Sequence, residues 1–146
     1  MKKLFCLLSL FSLAELAGGI GLLQSAPVPA VFYGQAAWYS SQSCRREGTS
    51  GALTASGERF HDRDMTCALR HRDFGKYYRV TNLENGKSIV VKHNDFGPAR
   101  QWRDSKTGRT HDLSKRVVDL SKGAFQKIAN PRQGVIKKVR VERISR

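Results

Sequence analysis

Cysteine is nearly absent from this chain, and so is any arrangement of side chains that grips a metal. Of three cysteines in 146 residues, Cys6 falls in an apolar N-terminal stretch, which leaves only Cys44 and Cys67. In an oxidising compartment two leftover cysteines point to one disulfide, Cys44–Cys67. His61, His71, His93 and His111 are scattered, with no CxxC or HExxH pattern, so no metal and no cofactor are expected. Acidic residues are scarce too: 12 Asp and Glu stand against 26 Lys and Arg, a net charge of +14. Such a surface suits polyanions: nucleic acid, anionic membranes or acidic cell-envelope polymers. No repeat recurs, and the length fits one domain with one moderate core.

Long apolar runs are confined to the start. Lys2 and Lys3 precede the apolar stretch Leu4–Leu13, and Val28-Pro29-Ala30 offers a cleavage site, so residues 1–30 read as a secretory signal. The alternative is a retained anchor. Apolar residues resume after Glu15, from Leu16 through Leu23, and the two runs together make about 20 residues, just enough to span a bilayer. Export demotes nucleic acid as a partner. The expected product is an exported monomer of residues 31–146, periplasmic or attached to the cell envelope, touching membrane only through an uncleaved leader.

Past a short tether at Val31–Gly34, Gln35–Ser40 reads as a first strand, Ser41–Gly51 as a loop and residues 59–65 as irregular. Thr66–Leu69 is a short strand. Tyr77–Leu83 and Ser88–His93 form a hairpin around the favoured turn pair Asn85-Gly86. The β-branched run at Ser88–Val91 then gives way to Asn94-Asp95-Phe96 and the breaker Gly97-Pro98. A buried strand ending in a polar tip presents side chains at the rim of a rigid scaffold. Residues 99–116 form a long basic loop containing Arg100 and Trp102. Val117–Leu120 is a strand, and Ser121 caps a helix carrying Ala124, Phe125, Ile128 and Ala129, stopped by Asn130-Pro131. Val135–Ile144 is the last strand. Many short strands with one short helix predict a small, mainly β barrel.

Five segments in order, Gln35–Tyr39, Thr54–Phe60, Val80–Ser88, Asn94–Pro98 and Val118–Ser121, resemble those of the rare lipoprotein A family of septal-ring lytic transglycosylases. The resemblance covers about residues 34–144 and implies a six-stranded double-psi β-barrel with an expansin-like domain. It also implies endolytic cleavage of peptidoglycan glycan strands, preferably those stripped of stem peptides, leaving 1,6-anhydro-muramic ends. Motif by motif, the family's catalytic glutamate falls on Glu58 and its catalytic aspartate on Asp95. Three departures accompany the match. Leu69 stands where the family has a histidine, Phe96 replaces an arginine, and Cys6 is wrongly placed for lipidation, so no lipid anchor is expected. The family's C-terminal peptidoglycan-binding repeat has no counterpart before Arg146.

Glycosidic cleavage needs a proton for the leaving oxygen and stabilisation of positive charge at the anomeric carbon, which two carboxylates in different environments supply. Asp95 is assigned the proton and Glu58 the stabilising charge, with the reverse assignment open. Taken singly, Asp95 reads equally as a turn former and Glu58 as a solvated charge. His71, two residues past Leu69 and on the same face of an extended segment, is the candidate substitute for the missing histidine, and His93 shares a face with Asp95. An ordinary surface role is open for both. Trp38 and Tyr39 are either core or a sugar-stacking platform. Arg100 and Trp102 are candidates for gripping the wall polymer, and Asp119 reads as structural. The competing function is a non-catalytic, expansin-like wall-binding domain; a basic membrane- or nucleic-acid-binding protein is a third.

Overall fold

The computed structural model describes residues 30–47, 52–104 and 106–145, so the expected leader, apart from Ala30, lies outside the described residues. The chain runs through β1 (Val31–Tyr39), α1 (Ser41–Glu47), β2 (Thr66–Leu69), β3 (Tyr77–Asn82), β4 (Ser88–Phe96), β5 (Gln101–Arg103), β6 (Thr110–Asp112), β7 (Arg116–Ser121), α2 (Lys122–Ile128), a 3-10 turn (Pro131–Gln133) and β8 (Val135–Ile144). Six strands close into a barrel in the order β1-β7-β2-β4-β3-β8. The β1/β7 and β2/β4 pairs are parallel and the rest antiparallel. This is the six-stranded double-psi barrel that the resemblance implied.

Alternation puts Tyr78 and Val80 of β3, Val91 of β4, Val118 and Leu120 of β7, and Val139 and Val141 of β8 into one core. Helix α2 seals it with Ala124, Phe125 and Ile128, all fully buried. At a pitch of 3.6 residues, positions 124, 125 and 128 share one face. The Ser121 hydroxyl caps the helix by accepting the Ala124 N–H at 3.3 Å, and it donates to the carbonyl of Asp64. Burying the Phe125 ring alone stabilises the fold by roughly 1.5–3 kcal/mol. Gly123 lets α2 approach this closely. A Cβ there would lie 2.8 Å from the backbone of Arg63.

Several expectations are corrected. Val31–Gly34 is no tether but the first half of β1, paired to β8 from Val31↔Glu142 onward. Residues 41–47 form a second α-helix where a loop was expected. Its start is fixed from a distance, by the Asp62 carboxylate accepting the Ser41 N–H at 2.6 Å and hydroxyl at 2.8 Å. The β3–β4 turn is wider than the two-residue form, because Asn82 and Lys87 still pair (2.8 Å) and four residues lie between them. Gly86 adopts φ 73° there, and the Asn85 side chain is drawn away to the carbonyl of Ile128 at 2.9 Å. The basic loop contains a two-stranded ribbon, with Gln101↔Asp112 and Arg103↔Thr110 in register.

The expected Cys44–Cys67 bridge is not formed. Cys67 is fully buried within the core cluster, and burial raises its thiol pKa. A neutral thiol so placed is a packing group and a poor partner for oxidation, which proceeds through the thiolate.

Candidate functional site

The outer end of β4 is built by its neighbours. Ala68 of β2 pairs with Asp95 of β4 on one side and with Asp119 of β7 on the other, and Asp119 pairs onward with Ala37 of β1. Ala37, Asp119, Ala68 and Asp95 therefore stand in one row across four strands. Adjacent strands are spaced at about 4.8 Å, so the two aspartates sit roughly 10 Å apart with only an alanine between them. Small residues at the intervening positions leave the floor of the row low.

The segment 52–60 forms one wall. Leu53 and Arg59 bridge its ends, and Gly57, at φ 87°, makes the turn. Small residues let its backbone close on β4: Ala55 N–H donates to Asp95 Oδ1 at 2.9 Å and Ser56 N–H to the Asn94 carbonyl at 3.0 Å. Asp95 Oδ1 also accepts its neighbour's N–H, from Phe96, at 2.8 Å. Glu58 is then delivered to the same strand end. Its Oε1 meets Lys92 Nζ at 2.5 Å, and its Oε2 accepts from the Asn94 amide at 3.1 Å. The bond from Lys92, followed by that from Asn94, holds the Glu58 carboxyl below the usual carboxylate range, and the same contact raises Lys92. Glu58 is thus kept ionised as pH falls.

The ribbon β5–β6 forms the other wall, and one residue anchors it. The Arg70 guanidinium donates to the carbonyls of Pro98 (2.9 Å), Ala99 (3.4 Å), Leu113 (2.8 Å) and Ser114 (3.1 Å), gripping both feet of the ribbon. A cavity of about 380 Å³ opens at its base, lined by Trp102, His111, Leu113, Arg116 and Asp119. Trp102 rests on His111 with ring centroids 5.2 Å apart. The ribbon's acids are occupied locally: Asp104 accepts the N–H groups of Lys106 and Thr107, and Asp112 accepts from Ser114. Its cations are thereby left facing outward.

The candidates named from sequence divide. Glu58 and Asp95 are brought to one strand end. Tyr39 belongs with them: it stacks on Phe60 at 4.8 Å, and its pKa is raised by burial, with the charges of Asp95 and Asp119 adding to the effect. Its hydroxyl is buried with no hydrogen-bond partner among the described residues. Trp38, one residue earlier and on the opposite face, instead bonds the carbonyl of Pro131 at 3.0 Å under Lys122. Arg100 is exposed at the foot of the ribbon. His71 follows the inward face of Leu69 and lies against His93 and Tyr78, with ring centroids at 4.7 and 6.0 Å. Leu69 is itself core, 1% exposed. Phe96 keeps a cation nearby despite replacing the family's arginine, since Arg72 stacks over its ring at 4.5 Å.

A family model described as lytic transglycolase matches residues 31–141. The chain belongs to that family. Among curated proteins it is similar to the probable endolytic peptidoglycan transglycosylase RlpA of Nostoc sp., with 39% identity over 79% of this chain and 26% of that protein. It is also similar to the endolytic peptidoglycan transglycosylases RlpA of Pseudomonas aeruginosa (36%, over 76% of this chain and 27% of the relative) and Neisseria meningitidis (33%, over 76% and 38%). The chain therefore spans between about a quarter and two fifths of the length of these relatives. Among solved structures, the Streptomyces papain inhibitor shares the fold at TM-score 0.56 and 18% identity, covering 82% of this chain and 98% of that one.

Asp119, Arg70 and Arg72 carry weight in this site that no local pattern announces. The clue to Asp119 was a lone charge between Val118 and Leu120 in a strand otherwise made of core residues. An acid there turns away from the core, and Asp119 is half-buried with its Oδ1 covered.

Proposed function

We propose that this domain is an endolytic lytic transglycosylase acting on the glycan strands of peptidoglycan in the cell envelope, reached by export of residues 31–146. The observation that carries the reading is the pairing of Asp95 and Glu58 at one strand end in unlike environments. Glu58, kept anionic by Lys92 and Asn94, suits the stabilising role, since positive charge develops at the anomeric carbon as the bond breaks. Asp95, held through Oδ1 by two main-chain N–H groups, is the proton carrier. Its carboxylic acid protonates the glycosidic oxygen as the muramic C1–O bond breaks, freeing the 4-hydroxyl of the departing glucosamine. The resulting carboxylate takes the proton from the muramic 6-hydroxyl, whose oxygen bonds to C1 and closes the 1,6-anhydro ring. Asp119, on the same row, supplies a polar contact to the sugar, and the buried Tyr39, stacked on Phe60, supports the wall beside it. Trp102 and the cations of the ribbon, Arg100 among them, bind the flanking glycan. His71 has no direct part at the reacting atoms, and Trp38 is structural.

The test is digestion of peptide-free glycan strands by residues 31–146, with mass analysis of the products. Anhydro-ended sugars, absent with Asp95→Asn, support the reading. Reducing-ended sugars would mean that water attacks instead. One observation favours a second reading, a non-catalytic wall-binding domain: a buried leucine, Leu69, occupies the position of the family's histidine. Binding to sacculi without any product would select it.

A further inference from the structure

His93 is fully buried on the inner side of β4, two residues before Asp95. It stands neither at the surface nor on the face of Asp95, the two expected placements, because the register with β2 skips Asn94 between Cys67↔His93 and Ala68↔Asp95 and breaks the alternation. Its main chain is fixed at both groups: its N–H donates to the Lys76 carbonyl at 2.8 Å, and its carbonyl accepts from Gly75 at 2.9 Å. The ring is placed just as tightly. Nδ1 lies 3.0 Å from the carbonyl oxygen of Asp73, and Nε2 lies 3.1 Å from the carbonyl oxygen of Asp95. Both neighbours are acceptors only. A neutral imidazole carries one N–H and satisfies one of them, while the other nitrogen sets its lone pair against an oxygen lone pair. The imidazolium donates to both.

We infer that His93 is a positioning residue for Asp95: on taking up a proton it bonds the main chain of Asp95 to that of Asp73 and fixes the carboxylate above it for reaction. The catalytic half of this inference rests on the reading of Asp95 given above; the structural half does not. The proton is added to a ring nitrogen from solvent and returned there, with no other chemistry.

The surroundings set when this happens. From β2, Cys67 lies opposite His93 in register as a neutral thiol. His71 approaches edge-on at 4.7 Å and Tyr78 of β3 at 6.0 Å. Asp73 faces the ring from its turn, itself paired with Arg143 of β8 at 3.2 Å. Burial is the largest influence and holds the ring below the ordinary histidine range, while the two carbonyls and the charges of Asp73 and Asp95 pull the other way. Proton uptake therefore falls on the acid side of about pH 6.5. At neutral pH one contact is unsatisfied. In mild acid both bonds form, and the reaction runs faster.

The experiment has two arms. In the first, ring and main-chain resonances of Asp95→Asn are followed by NMR from neutral to acid pH, a background in which the acid's own titration cannot contribute. The residue-95 amide and carbonyl signals are expected to move with the midpoint of the His93 ring. They are expected to stay still when His93→Gln is added and to move as before when His71→Phe is added instead. A ring that keeps one tautomer throughout, or residue-95 signals blind to its titration, would overturn the inference whether or not the protein is an enzyme. In the second arm, the wild-type rate is expected to fall with a slope of about −1 in log rate against pH above the His93 midpoint, and His93→Gln to lose that limb. Should His93→Gln fail to fold, the Asp95→Asn and His71→Phe titrations decide alone. An unchanged profile in a folded His93→Gln variant would refute the coupling to catalysis.

Discussion

The two faces of the β2–β4 ladder are built on opposite terms. Outside, Asp95 is held by main-chain N–H groups and Glu58 by a lysine and an amide, with Asp119 in the same row across an alanine. Inside, His71, His93 and Tyr78 are ionisable groups packed ring against ring, and burial sets their behaviour: both imidazoles are shifted down and the Tyr78 phenol is pushed up to about 12. Glu58 is thus held in its charged form on one side of the ladder, and the two imidazoles are pushed toward their neutral form on the other. His71, two residues past the core residue Leu69, lies on the same inward side, against His93 and Tyr78.

The comparison breaks most visibly at Asp95. Asp95→Asn keeps the oxygen that accepts from Ala55 and Phe96 but loses the transferable proton. The yield of anhydro products is expected to fall by about 10²–10⁴-fold, with an unchanged melting temperature by calorimetry. Phe125→Ala does the reverse. It empties the core beneath both faces at about 3–5 kcal/mol, seen as a lowered denaturant midpoint. Gly123→Ala drives a Cβ against the backbone of Arg63 and is expected to cost about 1–3 kcal/mol by the same measurement.

Acid sharpens the contrast. His71 and His93 have folded-state values below the unfolded one, so the folded chain holds fewer protons than the unfolded chain in the window below about pH 6.5. Stability contributed by the inner face is complete above that window and is lost as pH falls through the depressed values. Denaturation midpoints are expected to drop from neutral to mildly acid buffer, less steeply in His71→Phe. The outer face runs the other way. Glu58, lowered by Lys92, stays charged through the same range, and Lys92→Met is expected to raise its titration and move the acid limb of the activity profile upward. Because that ion pair is exposed, the stability change is expected to stay within about 1 kcal/mol.

How much of this was legible beforehand follows the range of the forces. Strands β2 and β8 are found at their expected bounds, and helix α2 starts after its capping serine and ends one residue early, with Ala129 extended. A β-branched run such as that of β8, a 3.6-residue apolar pattern and a cap are local signals. The β3–β4 hairpin was legible as well, though not the width of its turn, which depends on Asn85 reaching across to Ile128. Helix α1 was hidden because its first turn is held by Asp62, 21 residues away in sequence. Glu58 and Asp95 were named through motif order. Asp119 was read as structural and not as their companion, because only strand pairing through Ala68 reveals that the two aspartates share a row.

The hydrogen bonds from Arg70 to the ribbon all go to carbonyl oxygens, those of Pro98, Ala99, Leu113 and Ser114. Every amino acid has that oxygen, so these four bonds are indifferent to the side chains of the residues they hold. The segment between those feet is in effect a cassette in a fixed socket. Its aromatic and basic residues are free to be exchanged over evolutionary time without loosening the barrel, and grafting the ribbon of a relative onto Arg70 is a direct way to alter what the domain grips while leaving the carboxylates where they are.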